Sequence, residues 1–333
     1  MQAIFLTERK SEISRVYPPS VIARLENYAN INKTPYCKAD IEASPAAFRD
    51  VRFIFSTWGM PHFTEREIRE LFPGLECLFY AAGSVQSFAR EFLACGVKVF
   101  SAWQANAVPV AEYVVSQIIL ANKGYFAACR MASCGDYEGA KMLRRCYPGN
   151  FDTPVGIIGT GAVGRLVCKM LKPYRLRVLA SSIELTPELA LELGVEISDI
   201  DRIFRTCQVV SNHVANLPAT VGMFRQEHFE SMVPYGVFLN TGRGAQVAED
   251  DLCRVLAERQ DLTAVLDVTD PEPPEKDSPL CKLPNILLTP HIAGSNGQEV
   301  WRMAEWMAQE YDNYVSGKDS TCRVTLQMLE NMA

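Results

Sequence analysis

The residues able to do chemistry in this 333-residue chain sit where apolar runs end. Residues 155–164 read V-G-I-I-G-T-G-A-V-G: the run Val155 to Ile158 stops at Gly159 and is followed by Gly161 and Gly164. Leu166, Val167, Met170 and Leu171 then recur at helical spacing. The segment therefore reads as strand, tight turn and helix, the context in which G-x-G-x-x-G points to a dinucleotide. Gly159 lets the chain turn sharply, Gly161 lets a pyrophosphate approach the backbone, and Gly164 lets helix pack on strand. Unpaired N–H groups at the helix start, around Thr160, Ala162 and Val163, would then face phosphate. Taken alone, the motif competes with an ordinary glycine turn between a buried strand and a helix.

Arg243 lies between two glycines in N-T-G-R-G, at the end of another apolar run. An arginine so placed offers bidentate bonds to a carboxylate. A surface ion pair is the competing reading, but the segment gives it no helix face to lie on. His291 follows Pro290 at a third strand end, and by itself it reads as a structural histidine. Glu272, in P-E-P-P beyond Asp267, changes its weight. A carboxylate near the ring would fix its tautomer and tune it for proton transfer near neutrality. The sequence permits that contact without requiring it.

An acid that binds ribose hydroxyls is expected about 20 residues beyond the glycine motif. That position is Ser182, within A-S-S-I-E. Serine can bond a hydroxyl but lacks the charge that repels a 2′-phosphate, and no arginine follows it. Glu184 reads as a ribose contact or, preferably, as a solvated carboxylate. With positive charge missing at that loop, NAD(H) is expected ahead of NADP(H).

These residues need strands and helices to bring them together. Ala3–Leu6, Arg52–Ser56, Cys77–Ala81 and Val97–Phe100 read as short strands, with helices at Pro19–Tyr28 and Thr64–Leu71. The second of these opens on Thr64 with Glu67 three residues on, a capping box. From Val155 a second α/β region adds strands at Arg177–Ala180, Gln208–Ser211, Val237–Asn240, Thr263–Asp267 and Asn285–Thr289, with a helix at Glu249–Arg259. Parallel sheets covered by helices follow from that alternation. Their carboxyl ends carry the polar signals, and ligands of open parallel sheets bind there. Trp58, after the Arg52–Ser56 strand, reads equally as a half-buried aromatic and as a substrate contact. Ala105–Ala121 is a helix apolar nearly all round, which either joins two domains or pairs with a second copy. The amphipathic stretch Ser295–Val315 has no following strand in the second region and is expected to return to the first domain.

Composition narrows the classes. At 48% hydrophobic and 22% charged residues, without low-complexity runs, the chain is an ordinary globular one. A net charge of −6 without a basic block argues against nucleic acid and anionic membranes as partners. The N-terminus has four consecutive apolar residues before charge appears, too few for a signal peptide. Glu112 and Gln117 interrupt the longest apolar helix, so no membrane span is expected. Eleven scattered cysteines without a C-x-x-C pair read as free buried thiols in a reducing cytoplasm. His62, His213, His228 and His291 lack ligand spacing, so no metal is expected.

The ordered set A-N-A-V-P-V-A-E, G-T-G-A-V-G, N-T-G-R-G, L-D-V-T-D-P-E-P and T-P-H-I-A-G resembles the D-isomer-specific 2-hydroxyacid dehydrogenase family over nearly the whole chain. The resemblance implies an α/β fold of two domains. One is a Rossmann-type doubly wound parallel sheet over residues 105–294, binding the dinucleotide. The other is a smaller, discontinuous, flavodoxin-like substrate domain over residues 1–104 and 295–333. It also implies a catalytic trio: Arg243 on the substrate carboxylate and C2 oxygen, His291 moving the C2 hydroxyl proton, and Glu272 holding His291. By the same matching, backbone N–H groups of Ala82, Gly83 and Ser84 bind the substrate carboxylate, and Asp267 the nicotinamide carboxamide. Thr241, Thr220 and the Ser211–His213 strand end line the cofactor, and Trp58, Met60, Ser84 and Trp103 shape the side-chain pocket. Ser182 and Ala215 depart from the family pattern, while Glu272 sets the chain apart from formate dehydrogenases of the same superfamily. A homodimer through Ala105–Ala121 is implied too. The resulting expectation is hydride transfer between a nicotinamide cofactor and a small D-2-hydroxy or 2-keto acid. A corepressor-like protein that senses the dinucleotide is the alternative.

Overall fold

Alternation of apolar runs and amphipathic stretches produces two parallel sheets in the computed structural model, which describes residues 2–27 and 29–330. The chain divides into two compact units, Met1–Asn106 with Ser295–Ala333, and Ala107–Gly294. Ala105 and Asn106 thus fall in the first unit.

The first unit runs β1 (Gln2–Leu6), α1 (Lys10–Val16), α2 (Pro19–Glu26), β2 (Asn30–Tyr36), α3 (Lys38–Ala43), β3 (Val51–Ser56), α4 (Glu65–Leu71), β4 (Cys77–Tyr80), α5 (Ala89–Ala94) and β5 (Lys98–Ser101). Its strands lie in the order β2-β1-β3-β4-β5, and every pairing is parallel. That is the flavodoxin-like winding. Alternate residues of one strand enter different cores: Ala3 and Phe5 one, Ile4 and Leu6 the other. Burial on both faces is why these strands read as continuous apolar runs.

Thr64 caps α4 as its spacing predicts, with its hydroxyl accepting from Glu67 N–H and its own N–H donating to the Glu67 carboxylate. Helix α2 ends at Glu26, short of the expected Tyr28, which lies outside the described residues. Strand β2, N-I-N-K-T-P-Y, was not legible because it is mostly polar and contains Pro35. At a sheet edge the missing proline N–H and the polar faces are tolerated.

Helix Glu299–Val315 belongs to this unit. Met303, Ala304, Met307, Ala308 and Tyr311 are fully buried, and the Tyr311 ring meets Phe53, Phe55 and Phe79 edge-on at 5.2–5.6 Å between centroids. The helix starts later than the expected Ser295. Gly297 at φ +53° keeps the preceding residues out of it.

The second unit continues with α6 (Trp103–Ala121, begun in the first), α7 (Tyr125–Ser133), α8 (Tyr137–Leu143), β6 (Pro154–Ile158), α9 (Ala162–Leu171), β7 (Arg177–Ser181), α10 (Pro187–Leu193), β8 (Glu196–Ile197), α11 (Ile200–Thr206), β9 (Val209–Asn212), α12 (Gln226–Glu230), β10 (Val237–Asn240), α13 (Glu249–Glu258), β11 (Thr263–Leu266) and β12 (Ile286–Leu288). The seven strands are parallel in the order β12-β11-β10-β9-β6-β7-β8, a doubly wound sheet. Winding reverses between β6 and β9, so a crevice opens beyond their carboxyl ends. The short exposed β8 carried no periodic signal. Among the described residues no helix is long and apolar enough to cross a membrane.

All eleven cysteines are free, but the expectation that they are buried holds for part of them. Cys129, Cys134, Cys146 and Cys281 are exposed, because the segments that carry them lie at the unit's surface.

Candidate active site

The glycine loop lies at the β6–β9 reversal, and each glycine has its own reason to be there. Gly159 adopts φ +93°, and a Cβ on it would sit 2.6 Å from the His213 carbonyl. A Cβ on Gly164 would meet the Gly159 carbonyl oxygen at 1.9 Å, so the first turn of α9 packs directly on the loop. Gly161 faces open space, leaving its backbone approachable. Thr160 is fully buried and its hydroxyl has no hydrogen-bond partner, and the buried hydroxyl of the half-buried Thr241, just after β10, has none either. Unpartnered hydroxyls at the carboxyl edge of the sheet fit a polar ligand there. Ala162 and Val163 are the first residues of α9, a ten-residue helix whose start presents its N–H groups there.

His213 follows the β9 strand and donates its backbone N–H to Ile158 O at 2.7 Å. Its Nε2 is 2.9 Å from Ser211 Oγ, and desolvation pulls its pKa down to about 3, so the ring is neutral. Thr220 turns its hydroxyl into its own loop, accepting from Leu217 N–H and donating to Ala215 O. Ser182, half-buried after β7, accepts from the Glu184 N–H at 3.3 Å. One premise changes at that loop. Arg165 reaches over from α9 and pairs with Glu184 at 3.1 Å, so positive charge is present there and is neutralised. No sequence spacing could show it, since α9 and β7 become neighbours only in the folded sheet.

Arg243, Glu272 and His291 follow the adjacent strands β10, β11 and β12 at one edge of the sheet. His291 Nδ1 lies 2.7 Å from Glu272 Oε1. Arg243 bonds Gly242 O through Nη1 at 2.7 Å. Burial pulls the Arg243 guanidinium below its ordinary pKa, while the Glu272 charge acts to raise it. A cavity of about 430 Å³ opens here, lined by Asp267, Thr269, Glu272, Leu288, Thr289 and His291 among others. His291 has φ +53°, rare for a residue with a side chain.

Asp267 holds that conformation. Its carboxylate is buried and accepts from Thr289 Oγ1 at 2.6 Å, Ile292 N–H at 2.8 Å and Ala293 N–H at 2.9 Å. Its carbonyl oxygen accepts from His291 N–H at 3.0 Å. Glu249, at the start of α13, accepts from Asp270 N–H at 2.8 Å and so ties down the loop that carries Glu272. Burial pushes the Glu249 carboxyl up to about 7, with Asp270 and Asp250 adding repulsion.

In the first unit, the turn after β4 carries Ala82, Gly83 and Ser84. Ser101 Oγ lies beneath it, 3.0 Å from Ala82 O and 2.6 Å from Gly83 O. Trp58 is half-buried against both cores of this unit, with the Arg15 guanidinium 5.4 Å above its ring. Met60 and Trp103 are also half-buried.

Residues 118–293 match the family model for the D-isomer specific 2-hydroxyacid dehydrogenase, NAD binding domain. This chain belongs to that family. It is 30% identical over 235 residues to a D-3-phosphoglycerate dehydrogenase of Archaeoglobus fulgidus, covering 71% of this chain and 44% of that protein. A mitochondrial formate dehydrogenase of Hordeum vulgare is 28% identical over 68% of this chain and 60% of its own length. The matches thus span about half the length of these relatives. Among solved structures, a phosphoglycerate oxidoreductase from Rhizobium etli superposes with a TM-score of 0.81 at 18% identity, over 98% of this chain and 99% of that one. The family's two-sheet α/β fold is therefore present throughout the chain, with the Rossmann-type NAD-binding sheet at the matched residues.

Sequence reading missed the holding roles of Asn212, Asn240, Gln246 and Thr289. The first three have no exposed surface, and each of the four makes a side-chain hydrogen bond to a residue distant in sequence. A polar residue inside an apolar strand, as in V-F-L-N, was the available signal.

Proposed function

We propose that this protein is a nicotinamide-dependent dehydrogenase that interconverts a small D-2-hydroxy acid and its 2-keto acid. The contact between His291 Nδ1 and Glu272 beside Arg243 carries the reading. With Nδ1 engaged by the carboxylate, Nε2 is the nitrogen left to face a substrate. In the reductive direction His291 gives a proton to the C2 oxygen, and in oxidation it removes one. Glu272 holds the ring in place through Nδ1. Arg243 grips the substrate carboxylate and the C2 oxygen, where negative charge develops. When bound, the nicotinamide supplies or accepts the hydride.

Gly159, Thr160, Gly161, Ala162, Val163 and Gly164 would hold the pyrophosphate, with Ser182 toward the ribose. His213, Thr220 and Thr241 would line the cofactor, and Asp267 would meet its carboxamide. The turn Ala82–Ser84 would offer backbone N–H groups to a carboxylate. NAD(H) is favoured over NADP(H), because the Arg165 charge at the ribose loop is already matched by Glu184. A homodimer is proposed on the exposed Tyr125, Tyr137, Met142 and Phe151 of the segment after α6, and a reducing cytoplasm on the eleven free thiols.

A panel of 2-keto acids with NADH and NADPH, followed by nicotinamide absorbance, tests the activity. Turnover of at least one acid is expected. Cofactor binding without turnover of any would replace this reading with the dinucleotide sensor.

A further inference from the structure

Between the glycine loop and Arg243 lies a cluster of three side-chain amides with no solvent exposure: Asn212, Asn240 and Gln246. Every polar side-chain atom in it is paired. Asn212 Nδ2 donates to Asn240 Oδ1 at 3.0 Å and to Gln246 Oε1 at 2.5 Å. The remaining bonds all end on backbone, and they fall on a short stretch of each of two loops. Gln246 Oε1 accepts from Arg243 N–H at 3.2 Å, while Asn240 Nδ2 donates to Arg243 O at 3.0 Å. Asn212 Oδ1 accepts from Val214 N–H at 3.0 Å, while Gln246 Nε2 donates to Val214 O at 2.6 Å. Asn240 Oδ1 also takes the Gly242 N–H at 3.0 Å.

Arg243 and Val214 are therefore each held at both backbone polar groups by buried amides. Such a grip removes the peptide rotations that would swing a side chain or a turn. The two gripped residues face different partners. Arg243 bonds Gly242 O through its guanidinium and feels the Glu272 charge. The His213–Val214 peptide is the backbone that a Cβ on Gly159 would strike, at 2.6–2.8 Å. A Cβ on Gly242 would meet Gln246 Oε1 at 2.7 Å and Asn212 Nδ2 at 2.9 Å, so the cluster also fixes why that residue is glycine.

We infer that Asn212, Asn240 and Gln246 are positioning residues that lock the Arg243 loop and the His213–Val214 turn into one unit, setting the substrate-gripping arginine relative to the glycine loop. The catalytic part of this rests on the dehydrogenase reading of Arg243. The mechanical part does not. The cluster is neutral, so it orders the arginine without supplying a charge that would compete with an anionic substrate.

Two variants and two readouts test it. Gln246→Met keeps length and flexibility but removes the bonds to Arg243 N–H, Val214 O and Asn212. Asn212→Leu leaves the Gln246–Arg243 bond and removes the hold on Val214 N–H, and it serves if the first variant does not fold. Hydrogen exchange on the purified chain, with no substrate present, should quicken at least about tenfold at the Arg243 amide in Gln246→Met, and at the Val214 amide in Asn212→Leu. Exchange in the β10 and β11 cores should stay within about twofold of wild type. In turnover, Gln246→Met should lower kcat/KM for a keto acid at least about tenfold in the wild-type background. In the Arg243→Lys background it should lower it by less than about twofold, because the residue acts through Arg243. Unchanged exchange at those amides, or kinetic losses that multiply independently, would overturn the inference. Should the wild-type chain turn over no keto acid, exchange alone decides the mechanical claim, and the dehydrogenase reading fails separately.

Discussion

The loop after β10 holds Arg243 with neutral amides sealed from solvent, whereas the loop after β12 holds His291 with a carboxylate, Asp267, whose oxygens collect two N–H groups and a hydroxyl. Each choice suits the side chain it serves. Neutral amides fix the Arg243 backbone without adding a second anion to the Glu272 charge that already acts on its guanidinium. His291 needs its backbone forced to φ +53°, a conformation costing ~1–3 kcal/mol, and bonds to an ionised acceptor are about twice as strong as neutral ones. One loop is therefore held by neutral amides and the other by a carboxylate. Both holders, Gln246 and Asp267, are buried, while His291 and Glu272 keep 45% and 40% side-chain exposure.

That contrast can be broken at several points. His291→Ala should have the largest effect, lowering turnover by ~10²–10⁴-fold, as loss of a proton-transfer group does. Steady-state kinetics with the best keto acid measure it, and a loss within threefold would mean that the exposed loop does not carry the proton. Asp267→Asn comes next. One of its two acceptor oxygens becomes a donor facing donors already in place, so turnover should fall by about ten- to a hundredfold, in line with leaving buried groups unpaired at ~1–3 kcal/mol. Retained activity with unchanged melting temperature would show that the carboxylate is not what holds His291.

Coenzyme choice gives a smaller effect, away from both loops. Ser182→Asp should raise the NADH:NADPH preference by repelling a 2′-phosphate, whereas Glu184→Gln should lower it by freeing Arg165 from its 3.1 Å partner. Ratios of kcat/KM for the two coenzymes read both changes. No movement in either variant would place this loop out of reach of the ribose.

The smallest expected effect concerns stability and pH. Glu249 has its carboxyl pushed up to about 7, above its unfolded value. Its charged form is therefore disfavoured in the fold, and the penalty appears as pH rises from the unfolded pKa through 7 and vanishes below it. Glu249→Gln keeps an acceptor for Asp270 N–H. It should stabilise the chain above pH 7 by about 1 kcal/mol after solvent screening, and by nearly nothing below the ordinary glutamate pKa of about 4.5. Melting curves across that range decide it, since equal stabilisation at both ends would remove the titration as the cause.

Much of the fold was legible because parallel strands buried on two faces leave uninterrupted apolar runs. Val237–Asn240 matches its strand to the residue, and Thr64 with Glu67 marks the start of α4. Polar edge strands such as β2 left no such run, and Gly297 ended a helical pattern that its neighbours would have continued. Of the site, the residues that present charge were legible by type. The residues that hold them were not, because a buried amide in V-F-L-N looks like a defect in a strand until its partners are known. Arg165 was invisible for the same reason, as it meets Glu184 only once α9 and the loop after β7 are neighbours in the fold.

The sequence by itself determined roughly where the buried strands stop and which chemical groups stand at those ends. Periodicity and glycine placement act locally, within a few residues of chain. Tertiary structure alone decided that His291 meets Glu272, that Asp267 turns inward to hold the His291 loop, and that Asn212, Asn240 and Gln246 bind two loops into one. Those contacts join residues 19 to 34 positions apart, and their geometry depends on strand order, which no local pattern encodes.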